Sequence, residues 1–109
     1  MRKMSADAEG IIAYSATAGV MSTDLATAAA GSAAAAPGLL GPVMGLIGGD
    51  FVTAYSAAHA GHVASIAQLS AVMASMGTAT ASAATTLVDT DLNNAAPLTS
   101  AAGDLGADA

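Results

Sequence analysis

Two histidines, three residues apart in the middle of the chain, are the first candidates for chemistry. If their segment is helical, His59 and His62 point the same way, because residues three apart share a helix face. Two imidazoles at this spacing can share a metal ion when further ligands come from other elements. The nearest acidic residue in sequence is Asp50, and the N-terminal segment adds only Asp7, Glu9 and Asp24. We therefore interpret both histidines as half-buried members of a contact between helices, and we predict no metal or other cofactor.

Other catalytic patterns are missing from the sequence. No serine lies in a GxSxG elbow, and the glycine-rich stretch GPVMGLIGGD lacks the lysine and the preceding strand of a phosphate-binding loop. Asp89 and Asp91 form a carboxylate pair near a predicted helix end, where they oppose the helix dipole and have no acid–base partner. The sequence therefore predicts a protein that is not an enzyme.

The composition indicates a helical chain with a weak core of its own. Of the 109 residues, 31 are alanine and only 28 are large apolar residues. Alanine favours helix but buries little surface. We therefore expect stability to come from a partner or from further copies of the chain. The net charge of −6, with only two basic residues, excludes an electrostatic footprint for nucleic acid.

The uncharged stretches leave open an alternative function at a membrane. Asp7 and Glu9 follow the N-terminal basic residues directly, so a Sec signal peptide is not predicted. One charge-free window lies between Asp24 and Asp50 but is interrupted by two prolines and a cluster of glycines, and a second runs from 63 to 88. With a mean hydropathy of +0.61, a membrane-active or membrane-embedded assembly of small-residue helices is the alternative hypothesis.

Two helices and a breaker region organise the chain. The first helix is predicted over about 5–31, with Ser5 as N-cap and a 3–4 spaced seam from Ile11 to Ala28. That seam consists of Ile11, Tyr14, Ala18, Met21, Leu25 and Ala28. Residues 37–49, PGLLGPVMGLIGG, form the breaker region, in which a short helix from Pro42 to Ile47 is possible.

The second helix, predicted over about 50–92, carries the strongest periodic signal. Steps of 3 and 4 alternate for five heptads, from an Asp50 N-cap to a stop at Asn93, Asn94 and Pro97. We predict a packing interface at Val52, Tyr55, His59, His62, Ile66, Leu69, Met73 and Met76, with the pattern continuing through Thr80, Ala83 and Leu87. The fold class is therefore all-α: an antiparallel two-helix hairpin over 1–96, expected to oligomerise, followed by a flexible tail over 97–109.

The chain resembles the EspC-like family of type VII (ESX) secretion substrates, which are actinobacterial relatives of the WXG-type proteins. The resemblance is best from Gly48 to Ala96, which opens GGDFVTAYS and ends TTLVDTDLNNAA, and a weaker match covers Ser5 to Ala30. In that family Phe51 would mark the helix start after the turn. The chain has no tryptophan, as is usual in this branch.

The resemblance implies a function and a localisation. It implies a protein that is secreted or held at the cell surface without a Sec signal, with the type VII machinery as one partner. The other partner would be the chain itself or a related helical hairpin. The family's export signal is a tyrosine, three residues and then an acid. Here Leu87 occupies the tyrosine position and Asp91 the acidic one, one helical turn apart.

Overall fold

The computed structural model describes residues 5–107, and every regular element within them is helical. Helix α1 spans Ala8–Ala34, a 3-10 helix spans Pro37–Leu40, α2 spans Gly41–Met44 and α3 spans Gly49–Ala107. No strand occurs in this part of the chain. The predicted all-α class is therefore confirmed, with two long helices joined by a short linker.

Helix α1 begins and ends three residues later than predicted. Its N-cap is Asp7 rather than Ser5: the Asp7 carboxylate accepts a hydrogen bond from the Gly10 backbone N–H at 3.1 Å. A carboxylate at this position both caps the helix and complements its dipole, which favours Asp7 over a neutral hydroxyl. At the other end, the alanine run continues the helix until Pro37 forces Ala36 into an extended conformation.

The linker is more ordered than a plain breaker region. Pro42 lies in the first turn of α2, as its missing N–H allows. The short helix ends at Met44 instead of the suggested Ile47, because Gly45 takes a φ of 61°, where a glycine is favoured. Gly48 is also constrained, since a Cβ there would lie 2.6 Å from the Met44 Cβ.

Helix α3 is much longer than predicted. Its 59 residues run through Asn93, Asn94 and Pro97 to Ala107, whereas the sequence indicated an end near residue 92 and a flexible tail from 97. Pro97 cannot donate to the Asn93 carbonyl and its ring crowds that carbonyl, and the helix continues past it without an evident structural reason. All residues from 88 to 107 are exposed. The last two residues of the predicted tail lie outside the described residues.

Helices α1 and α3 pack side by side and form an elongated molecule. The principal extents are 95 × 22 × 15 Å, and α3 alone accounts for about 88 Å at 1.5 Å per residue. Ser15 on α1 contacts Gly77 on α3, and Ser22 contacts Ser70, so residue numbers rise along one helix as they fall along the other. Helix α1 covers α3 only as far as about Leu87.

Candidate functional site

The contact between α1 and α3, termed here the seam, is held by serine hydroxyls bonded to the opposite backbone. The Ser22 hydroxyl donates to the Ser70 carbonyl at 2.9 Å, and the Ser70 hydroxyl donates to the Ser22 carbonyl at 2.8 Å. Two turns away, the Ser15 hydroxyl donates to the Gly77 carbonyl at 2.8 Å. A side chain this short reaches a carbonyl on another helix only when the two backbones lie close together.

Gly77 shows how close the helices approach. It is buried, and a Cβ built on it would lie 3.2 Å from the Ser15 carbonyl oxygen and 3.4 Å from the Ala18 Cβ. Ala18 and Ala84 are both fully or almost fully buried at the same contact surface. The seam therefore accepts only small side chains at its centre.

The seam differs from the predicted interface at every second position. On α3, the predicted Val52, His59, Ile66 and Met73 are half-buried, as expected for contact positions. The other four predicted contact positions on α3 are largely exposed. In each case the next residue in sequence packs in the seam instead. The exposed positions are Tyr55, His62, Leu69 and Met76, and the packed residues are Ser56, Val63, Ser70 and Gly77.

The same one-residue difference occurs on α1. Tyr14, Met21 and Ala28 were predicted as contact positions, but Ser15, Ser22 and Ala29 are the residues that pack. The physical reason is that hydrophobic spacing selects large side chains, whereas close helix approach selects small ones with a hydroxyl donor. The available signal was the recurrence of serine, glycine or alanine at seven-residue intervals on both helices.

The displaced large residues form a surface of their own, here called the front face: Tyr14, Met21, Leu69 and Met76. These side chains are 49%, 47%, 49% and 36% exposed, respectively. They lie on one side of the seam, and the Tyr14 hydroxyl reaches the Met76 sulfur at 3.7 Å across the two helices. The front face is therefore continuous from α1 to α3.

An open groove, the front groove, runs along this face. Its walls are Met21, Leu25 and Ala28 on α1, and Leu69 and Met73 on α3, and the exposed residue Asp24 also lines it. The other side of the seam holds a second, shallow groove of small residues only: Ser15, Gly19, Ser22, Ala74, Gly77, Thr78 and Ala81. The two sides of the helix pair therefore differ strongly in side-chain size.

The pattern of burial is the reverse of that in an ordinary globular core, because small residues are buried and many large apolar residues are exposed. Among the described residues no large side chain is fully buried, and the buried apolar residues are Ala18, Ala29 and Ala84 in the long helices and Pro37 in the linker. Large apolar side chains are instead exposed on α1, the linker and α3, with Leu46 and Ile47 fully exposed. Burial of alanine stabilises little compared with burial of leucine or methionine.

The comparisons with known proteins leave the family open. No family model matches the chain, and no curated protein or solved structure is significantly similar to it. Among the described helices, α3 is long and apolar enough to cross a membrane by length and composition.

The two histidines are separated by the packing. His59 is half-buried with its Nε2 atom lacking a hydrogen-bond partner, and His62 is exposed. His59 instead ends an aromatic ladder: its ring centroid lies 6.3 Å from that of Tyr55, which stacks on Phe51 at 5.8 Å. No cluster of three potential metal ligands occurs within residues 5–107.

The signal-like pair lies where α1 stops covering α3. Leu87 is half-buried at the last covered turn, and Asp91 is exposed one turn further along. Asp89, between them in sequence, is also exposed. The helix then continues for 16 residues beyond Asp91, so the pair lies within a helix and not at its end.

Proposed function

We propose that this chain is a non-enzymatic assembly protein, an antiparallel hairpin that buries its front face against other helices. The other helices belong to a second copy or to a related hairpin. The observation that carries the proposal is the inverted burial: small residues occupy the centre of the seam, while Tyr14, Met21, Leu69 and Met76 lie outside it. Each large apolar side chain contributes about 1.5–3 kcal/mol when fully buried. Assembly supplies the burial that the isolated pair lacks.

The seam contacts support an antiparallel arrangement, because residue numbers rise along α1 as they fall along α3. The contacts of Ser15 with Gly77 and of Ser22 with Ser70 share one register over two turns, and the Tyr14–Met76 contact lies two residues from that register. In an antiparallel pair related by a two-fold axis, equivalent positions of the two helices lie on the same side. This places the large residues of both helices together and produces one docking surface.

The role that fits this hairpin is that of a secreted type VII substrate or secretion-associated protein. The support is the resemblance of residues 48–96 to the EspC-like family, together with the exposed Asp91 one turn after Leu87. In this role the chain leaves the cell without a Sec signal and functions in the medium or at the cell surface. The type VII machinery would recognise the helix around Asp91.

Export should depend on the Asp91 carboxylate. In an actinobacterial host with an active type VII system, Asp91→Asn is expected to retain the chain in the cells, because the acidic half of the signal is lost. Asp89→Asn removes the same charge two residues away and is the matched control, since both residues are exposed. Immunoblots of culture filtrate and cell lysate measure the result. Equal export of both variants would contradict the secretion role.

The native mass tests the assembly itself. In about 0.5 M salt, where the Debye length is roughly 4–5 Å, repulsion between chains of net charge −6 is screened. Light scattering after size exclusion is then expected to show a multiple of 10.3 kDa that increases with protein concentration. A mass of 10.3 kDa at every concentration, with the helices intact, would contradict docking of one copy on another.

A membrane function is the second candidate, favoured by the same seam. Small residues and serine-to-carbonyl bonds between helices are typical of helix packing in lipid, and threonines such as Thr17 and Thr80 bond their own helix backbone. The exposed Asp24 in the middle of α1 opposes it. Flotation of the chain with liposomes in the absence of detergent would favour the membrane, and recovery in the soluble fraction would favour protein docking.

A further inference from the structure

We infer that at about 0.15 M salt the front groove binds a partner's amphipathic helix that carries lysine or arginine beside its apolar stripe, in preference to a second copy of this chain, whose charge repulsion is screened only at higher salt. The inference rests on the proposed function, because it specifies what docks on the front face. It is carried by two independent properties of the groove: its apolar lining and its charge.

The lining suits a helix. Met21 and Leu25 from α1 face Leu69 and Met73 from α3 across an open channel along the helix pair. A third helix laid in such a channel presents its own apolar residues at i, i+3, i+4 and i+7 to both walls. Methionine side chains are flexible and polarizable, so Met21 and Met73 adapt to the shape of the incoming side chains.

The charge selects the partner. Asp24 lines the groove, and residues 5–107 contain seven carboxylates and no lysine or arginine. The chain's two basic residues, Arg2 and Lys3, lie outside the described residues. A second copy brings a further net charge of −6 to the contact, whereas a basic helix places a cation against Asp24. Charge complementarity therefore favours a basic partner over self-docking.

Two synthetic helical peptides test the inference directly. Both carry the same Leu/Ala stripe at 3–4 spacing, and they differ only in flanking residues, which are lysine in one and glutamate in the other. Binding to the full chain at about 0.15 M salt is measured by calorimetry. The lysine peptide is expected to bind about tenfold more tightly or better.

Substitutions in the chain separate groove binding from general attraction to an acidic protein. Asp24→Asn is expected to weaken the lysine peptide about two- to fivefold, the range of an exposed ion pair. Asp89→Asn, with the same charge change far from the groove along α3, is expected to leave the affinity within error. Leu69→Gln is expected to weaken both peptides, because it changes the apolar wall that they share.

Each outcome supports or overturns one statement. Tighter lysine-peptide binding that depends on both Asp24 and Leu69 supports the inference. If both peptides bind equally and both depend on Leu69, the charge preference is wrong, while docking of a helix in the groove still holds. Self-association that excludes the lysine peptide has the same meaning. Equal effects of Asp24→Asn and Asp89→Asn on the affinity for the lysine peptide also overturn the charge preference. Absence of any peptide binding, in a chain that stays monomeric in high salt, overturns both the inference and the proposed function.

Discussion

Gly77→Leu is expected to push α1 and α3 apart and to lower the free energy of unfolding by about 1–3 kcal/mol. Even a Cβ at this position meets the Ser15 carbonyl oxygen at 3.2 Å, and the rest of a leucine side chain has no room in the seam. The separation also breaks the 2.8 Å bond from the Ser15 hydroxyl to the Gly77 carbonyl. Urea denaturation followed by circular dichroism measures the loss.

Gly61→Leu is the matched control for this substitution. Gly61 lies in the same helix, and a Cβ at this position would have nothing within 4 Å, so the larger side chain enters open space. Leucine favours helix over glycine, and Gly61→Leu is therefore expected to stabilise the chain by up to about 1 kcal/mol. Equal changes in the two variants would show that α1 and α3 do not approach as closely as Gly77 indicates.

Leu69→Asp is expected to abolish assembly while leaving the helix pair folded. Leu69 is 49% exposed in the isolated chain, so a carboxylate there remains hydrated and the seam is undisturbed. When the front face is covered by another helix, the same carboxylate loses its water without a partner, at a cost of several kcal/mol. In about 0.5 M salt the native mass should decrease to 10.3 kDa with the helical circular dichroism spectrum retained.

Ala71→Asp introduces the same charge two residues away, at an exposed position outside the front groove. This variant is expected to keep the assembled mass of the wild type. Assembly that survives Leu69→Asp, or that is lost equally in both variants, would place the docking surface elsewhere on the helix pair.

Local signals in the sequence placed the helix ends only to within about three residues. Asp7 caps α1 in place of the predicted Ser5, and the short helix of the linker ends before Gly45 and not at the predicted Ile47, because caps and left-handed glycines act through the chain near them. The C-terminal end of α3 was placed too early. Asn93, Asn94 and Pro97 are ordinary stop signals, yet the helix continues through all three without an evident structural reason.

The side of each helix that packs was predicted only in part. The heptad spacing identified Ile66 and Met73 as contact positions, but it assigned Leu69 and Met76 to the seam ahead of Ser70 and Gly77. A hydrophobic pattern reports which residues need burial somewhere, and it does not say whether the burying surface belongs to the same chain. In this chain Leu69 and Met76 are not covered by α1, so under the proposed function the pattern describes contacts with another molecule more directly than the packing of α1 on α3.

The C-terminal end of α3 also exposes large apolar side chains. Val88, Leu92, Leu98 and Leu105 are exposed along the 20 residues that α1 does not cover. Like the front-face residues, they are apolar side chains that α1 does not cover. The seam fixes the position of the front-face side chains, because two closely packed helices hold them on a rigid support.

A disulfide between positions 22 and 70 tests the seam most directly. The chain has no cysteine, and the Ser22 and Ser70 hydroxyl oxygens lie 3.3 Å apart, within reach of a bridge. Dilute Ser22→Cys/Ser70→Cys protein is expected to oxidise within one chain, losing about 2 Da from its two thiols. The control Ser22→Cys/Ala71→Cys should stay reduced. Oxidation of the control pair in preference to the first, or bridges only between chains, would contradict the packing of α1 on α3.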